Sequence, residues 1–545
     1  MQLVRPYAPW VGRALPLPNI VKSGGALPPL SILGPAILVG FAMALPLAYL
    51  IIRSAGASED AWSLLFRLRT AQILWRSALL VVIVTGASVT LAVPLAWLTV
   101  RTDLPYRRLW SVLTALPLVV PSYVGAFLAA SALGPKGLAQ QMLEPIGVDR
   151  LPEIYGLPGA AITLTLLSYP YVLLTVRAAL RNLDPSLDES ARMLGHGPWS
   201  TMFRMTLPQL RPAIASGSLL VSLYTLSDFG AVSLMRYETF TWAIYQQYQS
   251  AFDRSIAAVL SLVLVLLAVM ILFADSVSGS KGRYYRAGTG SARALKTITL
   301  KAWKWPAVGL CALVSITALG LPIAVLTYWL VKGVSSGEPL LLLWTEARNS
   351  LYVSGLAALA ATVLAVPVAA LAVRYPSLLA RGVERLSYVG YALPGIVVAL
   401  ALVFFGSRVA QPVYQTLWLL IFAYVVLFIP AALGAVRSSL MQVSPRMEEA
   451  ARCLGRGRMR VMWSVTTPMV RPGLLMGGAL VFLVTMKELP ATLILGPLGF
   501  KTLASAVWSA SSEAFFAQAA APALMLILMS SAPMAVLMMR DRSRG

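Results

Sequence analysis

DPSLDESARMLGHGPWSTMFRMTLPQLRP occupies residues 184–212, and SPRMEEAARCLGRGRMRVMWSVTTPMVRP occupies residues 444–472. A shift of 260 residues superimposes the two without a gap. Twelve of the 29 positions are identical, among them Pro185/Pro445, Glu189/Glu449, Gly195/Gly455, Pro208/Pro468 and Arg211/Arg471. The register runs on into the apolar stretch beyond, where Asp228 meets Glu488 and Ala231 meets Ala491. Upstream, VPLAWLTVR (93–101) resembles VPVAALAVR (366–374), and LPLVVPSYVGAFLA (116–129) resembles LPGIVVALALVFF (393–405). The chain is therefore two copies of one unit in parallel orientation.

Of the 545 residues, 58% are hydrophobic and only 12% are charged. Soluble chains carry about 25% charged residues, and a single soluble core stops growing well below this length. Lipid is the solvent these numbers imply. Spanning hydrocarbon takes about 20 apolar residues as helix. Twelve runs qualify, near 30–52, 77–100, 110–133, 157–180, 213–235, 256–275, 306–330, 349–373, 386–407, 414–436, 473–495 and 519–539, six in each copy. They do not alternate polar with apolar, so they read as helices and not barrel strands. The predicted fold class is an all-α membrane protein of about 12 transmembrane helices in two duplicated six-helix halves. Its parts are a segment 1–29, a first domain 30–275, a basic linker 276–305, a second domain 306–540 and a tail 541–545.

Basic residues set the orientation. With the N-terminus cytoplasmic, 31 of the 44 Lys and Arg fall in the cytoplasmic segments, and both termini are then cytoplasmic. The weakest fit is the first outer loop, which carries Arg53, Arg67, Arg69 and Arg76. The net charge of +23 does not indicate nucleic acid, because the basic residues lie in short segments between apolar runs. Cys311 and Cys453 are too few and too differently placed for a structural bridge. No ordinary cleavable signal precedes the first apolar run.

The duplicated 29-residue segment lies in a cytoplasmic loop of each half. Asp184 and Ser444 are good N-cap residues, followed by Pro185 and Pro445 at the first helical position. Gly195 and Gly455, ten residues on, suit the left-handed C′ position that ends a helix. A second short helix is expected to run to Pro208 and Pro468. Each loop thus places two short helices across the mouth of the next span.

ESARMLG…MTLP (189–195, 205–208) and EAARCLG…VTTP (449–455, 465–468) resemble the coupling-loop signature of type I ABC importer permeases. That signature is Glu-Ala-Ala, three residues, Gly, nine residues, Ile-x-Leu-Pro. Ser190, Met205, Val465 and Thr467 depart from it conservatively. The resemblance covers the whole chain and implies that Glu189, Ala191, Gly195, Pro208, Glu449, Ala450, Ala451, Gly455 and Pro468 form ATPase-coupling loops. It implies as partners an ABC ATPase subunit in two copies, which holds ATP and Mg, and a periplasmic substrate-binding protein. It places the chain in a bacterial inner membrane. Ordinary amphipathic connectors would explain one such loop; two at one offset favour the signature.

No G-x-x-x-x-G-K-[ST] phosphate loop occurs, so no cofactor or catalytic site is expected on this chain. No His/Cys/carboxylate cluster has metal-ligand spacing, and the lone His196 reads as a solvated turn residue. Asp228, Lys487 and Glu488 are candidate pathway residues, since an acid inside a span faces a cavity or a partner. The alternative is a pair of helix-end acids, with Lys487 neutralising its neighbour. A proton-coupled secondary transporter shares the six-plus-six arrangement but needs several intramembrane proton sites and has no use for coupling loops. SDFGAVSLMRYETFTWAIYQQY (227–248), MKELPATLIL (486–495) and LPGIVVALALVFF (393–405) look like the fused ferric-iron branch of the permeases. Thiamine, phosphonate or another small charged solute remains the alternative cargo.

Overall fold

The computed structural model describes residues 28–148, 150–183, 193, 195, 197–250, 255–278, 297–337 and 343–542. Glu189, Ala191 and His196 lie outside the described residues, as does most of the basic linker. The first half comprises α1 (Leu30–Ala55), α2 (Leu68–Arg101), α3 (Arg107–Leu113), α4 (Ser122–Leu133), α5 (Leu157–Asn182), α6 (Leu207–Ser227), α7 (Gly230–Leu234) and α8 (Ser255–Ser278). The second half repeats the plan with α9 (Lys301–Ser335), α10 (Trp344–Arg374), α11 (Leu378–Ser387), α12 (Gly395–Arg408) and α13 (Leu417–Met441). It continues with α14 (Pro445–Cys453), α15 (Thr467–Met486), α16 (Pro490–Leu495) and α17 (Phe516–Arg542). Among the described residues the elements of both halves are helices, as the apolar runs require.

Among the described residues nine helices are long and apolar enough to cross a membrane, or eleven if two sharply bent pairs each count as one span. Twelve spans were expected, and the differences have local causes. The runs 110–133 and 386–407 are not single helices. Residues 107–119 and 122–143 meet at 94°, and residues 378–392 and 395–408 at 108°. Pro121 and Pro394 sit at the two bends in extended backbone, where a proline pushes its predecessor out of the helical region. A single offset of 273 relates Pro121 to Pro394, as it relates VPLAWLTVR to VPVAALAVR. The pairing of Pro117 with Pro394 suggested by the LP dipeptides is thus four residues out. The runs 213–235 and 473–495 also break, after Ser227 and after Met486. The first of these, α6, is the run that is not apolar enough to count as a span, because Gln209, Arg211, Pro212 and four serines dilute it.

Small residues bring the helices together. A Cβ on Gly217 would stand 2.7 Å from Val172 Cα, and one on Gly477 would stand 3.1 Å from Ala432 Cα. Gly217/Gly477 and Val172/Ala432 are repeat mates, so α5–α6 and α13–α15 cross at the same close approach. Pro94, Pro170, Pro367 and Pro430 lie within continuous helices, as packed membrane helices permit.

The halves exchange their first helices. α1 packs on α10, α11 and α12 of the second half, with Tyr49 edge-on to Phe405 at 5.7 Å and Arg53 over the Phe404 ring at 5.5 Å. In return α9 touches α3, α4 and α5 of the first half. The arginines at the start of α2 that fitted poorly have a local partner: Arg76 pairs with Glu238 at 3.1 Å and Arg69 at 3.9 Å. At the end of the linker, Ile298 bridges Thr102, Leu300 donates to Asp103 Oδ1 at 2.9 Å, and Lys304 pairs with Asp103 at 3.5 Å. The Leu300 amide holds the Asp103 carboxyl below its ordinary range, with Lys304 adding to the effect.

Candidate functional site

The repeated loop is complete among the described residues only in the second half. Pro445 opens α14, and Ser444 precedes it in extended backbone, although its hydroxyl makes no capping bond. The helix ends in a Schellman arrangement, with the Arg456 amide donating to Ala451 O at 3.2 Å and the Gly455 amide to Arg452 O at 2.9 Å. Gly455 has φ +79°, and Gly195 in the other copy has φ +83°. Beyond the glycine, the expected separate helix ending at Pro208 or Pro468 is not what forms. A short helix runs through a π-turn, Met202–Thr206 or Met462–Thr466, directly into the span. The prolines stand just past the π-turns, at the second residue of α6 and of α15.

On α14, Glu449 and Ala450 are exposed while Ala451 is buried. The neighbouring acid, Glu448, turns inward. Its Oε1 accepts from Arg374 at 2.8 Å and from Thr466 Oγ1 at 3.1 Å, and Arg374 also donates to Val443 O at 3.1 Å. Arg374 is the last residue of α10, so one carboxylate ties the loop helix, the π-turn and a span together. Sequence reasoning passed over Glu448. The signal was a second acid beside Glu449 and an Arg closing VPVAALAVR.

The second site forms where α6 and α15 break. Asp228 Oδ1 accepts from the Ala231 and Val232 amides at 2.9 and 3.3 Å, and Ser122 lies within hydrogen-bonding reach. Glu488 Oε1 accepts from the Ala491 amide at 3.3 Å. Both acids therefore cap the short helix that follows, α7 or α16. They are also close enough for their charges to interact. Lys487 lies near enough to Glu488 to interact with its charge, and its Nζ donates to Leu118 O at 2.7 Å, crossing from the second half to the bend before α4. Gly395 abuts Glu488, since a Cβ there would stand 2.5 Å from Oε1. Tyr424 and Thr492 extend the network, their hydroxyls 2.6 Å apart and Thr492 donating to Glu488 O at 2.6 Å. Sequence reasoning missed these hydroxyls, because an uncharged Tyr or Thr inside an apolar run stands out by nothing. Cys311 is buried and Cys453 exposed, both as free thiols.

Residues 88–279 and 361–540 each match the family model of the binding-protein-dependent transport system inner membrane component. The Fe(3+)-transport system permease protein FbpB 2 of Haemophilus influenzae is 37% identical over 506 residues, covering 92% of this chain and 96% of that protein. The molybdenum transport system permease protein ModB of Escherichia coli is 31% identical over 209 residues, covering 36% of this chain and 90% of that protein. A solved bacterial ABC transporter involved in import of the acidic polysaccharide alginate covers 44% of this chain and 88% of its own at 21% identity, with a TM-score of 0.33.

Proposed function

The chain belongs to the binding-protein-dependent transport system inner membrane component family, and from that membership we propose that it is the permease subunit of an ATP-driven importer of ferric iron. The cargo rests on one observation, the likeness to a Fe(3+)-transport permease over 92% of the chain. That likeness spans both halves, whereas the molybdenum permease matches 36% of the chain and speaks to the plan of one half.

In this reading α14 and the matching loop of the first half each dock on one copy of an ATPase subunit, which holds ATP and Mg. The exposed Glu449 and Ala450 face that subunit, and the rigid turn at Gly455 fixes the angle between α14 and the span. Both termini are cytoplasmic, and a binding protein presents the cargo on the opposite side. Asp228, Lys487 and Glu488 lie on the translocation path, where two acids attract a cation and also hold the breaks open by capping α7 and α16. Uptake of labelled ferric iron in cells lacking the chain tests the cargo. Loss of ferric uptake with thiamine uptake intact is expected, and the reverse pattern moves the assignment to thiamine.

A further inference from the structure

Duplication makes each half a control for the other, and at one place the two differ in chemistry. A small pocket in the second half is lined by Ser354, Tyr424, Thr485, Glu488 and Thr492. Ser354 Oγ and Thr485 Oγ1 are buried there, 1% and 3% exposed, with no hydrogen-bond partner. A helical Ser or Thr ordinarily returns its hydroxyl to a carbonyl one turn back, as Thr362 does to Ala358 and Thr99 to Leu95. An unpaired buried hydroxyl is costly, and two beside a carboxylate need a reason. A third comes from the first half: the Tyr123 hydroxyl is buried, unpartnered and near enough to Glu488 and Tyr424 to interact electrostatically.

Packing is not that reason. The repeat mates of Ser354, Tyr424 and Thr492 are Val81, Leu164 and Val232, and the mate of Tyr123 is Ile396. The same helices are thus held together in the other half with apolar side chains at all these positions. Thr225, the mate of Thr485, is also buried without a partner, but the polar company of Thr485 is missing from its half. Asp228 accepts from two backbone amides, while Glu488 accepts from one and is among the residues that line the pocket.

We propose that this pocket is a one-sided, oxygen-lined transit site for a hard cation, with Glu488 supplying the charge and Ser354 and Thr485 the neutral oxygens. Hard cations take oxygen ligands of this kind. Among the described residues no three His, Cys, Asp or Glu side chains gather into a metal cage, so the site holds its cargo loosely. Loose holding is what passage requires, since a cargo that binds too well does not leave.

The inference rests on the reading of the chain as a ferric-iron permease. Its test is the complete transporter in proteoliposomes, with ATPase and binding protein, scored for labelled ferric uptake and for ATP hydrolysis. The double variant Ser354→Ala/Thr485→Val is expected to lose at least tenfold in uptake with hydrolysis within twofold of wild type. Thr225→Val in the other half leaves both within twofold, and Thr485→Ser, which keeps the hydroxyl, retains uptake. Wild-type uptake by the double variant overturns the site and leaves the cargo reading standing. Equal losses in Thr225→Val, or in Thr485→Ser, make these packing positions and overturn it too. A wild-type transporter that moves no ferric iron sinks the cargo reading and the site with it.

Discussion

Gly195 and Gly455 stand at φ +83° and +79°, in backbone that an L side chain adopts only with strain. Nothing lies within 4 Å of a Cβ built on either, so the constraint is conformational and not steric. Gly455→Val therefore costs about 1–2 kcal/mol locally and is expected to swing α14 away from its docking angle. The variant should insert normally, co-purify with less ATPase and lose most uptake. Gly455→Asn, which tolerates the left-handed region, should retain more. Wild-type uptake by Gly455→Val with the ATPase bound would remove the loop from the coupling role. These glycines were legible because a turn residue at fixed spacing leaves a mark in sequence. The orphaned hydroxyls of Ser354 and Thr485 were not, because being unpaired is a property of neighbours and the neighbours come from other helices.

At the level of elements, the joint between α14 and α10 hangs on Arg374–Glu448, a pair only 16% and 15% exposed. Cutting one partner of a pair this sheltered leaves an uncompensated charge, which is strongly destabilising locally. Glu448→Ala is expected to keep basal ATP hydrolysis but to lose its stimulation by the binding protein, with uptake at least fivefold lower. The exchange Glu448→Arg/Arg374→Glu should recover part of it. Retained stimulation in Glu448→Ala would show that motion reaches the spans elsewhere. A second joint ties the linker to the first half at Asp103. Because contacts depress its carboxyl below 3.8, its contribution is complete above that value and fades only as pH falls through the lower, folded one. Protection of the Leu300 amide against hydrogen exchange should therefore hold steady between about pH 8 and 5 and drop only in stronger acid. In Asp103→Ala it should be reduced several-fold at every pH. The spans themselves were read correctly where apolar runs were uninterrupted. The reading failed at Pro121, Pro394, Asp228 and Lys487, where the run continues but the helix does not. Hydrophobicity reports the solvent and not the hydrogen-bond ladder, so a bend inside lipid is invisible to it.

For the whole molecule, the exchange of α1 and α9 means that neither half buries its own surface alone. A chain cut between residues 285 and 286 should yield two fragments that co-purify when expressed together, while either one alone accumulates at a fraction of that level. Equal accumulation of a lone half would show that the crossed helices add little. Fusion also fixes the halves at one copy each, and the seam between them shows what that permits. Lys487 has Ser227 as its mate, yet it reaches Leu118 in the opposite half and stands beside Glu488, with Asp228 nearby. In a symmetric homodimer every charge at the two-fold axis arrives twice, so their number is always even and a lysine there faces its own copy. Two acids and one lysine carry a formal charge of −1, an odd value that two identical subunits could not bring together and that two unlike halves can.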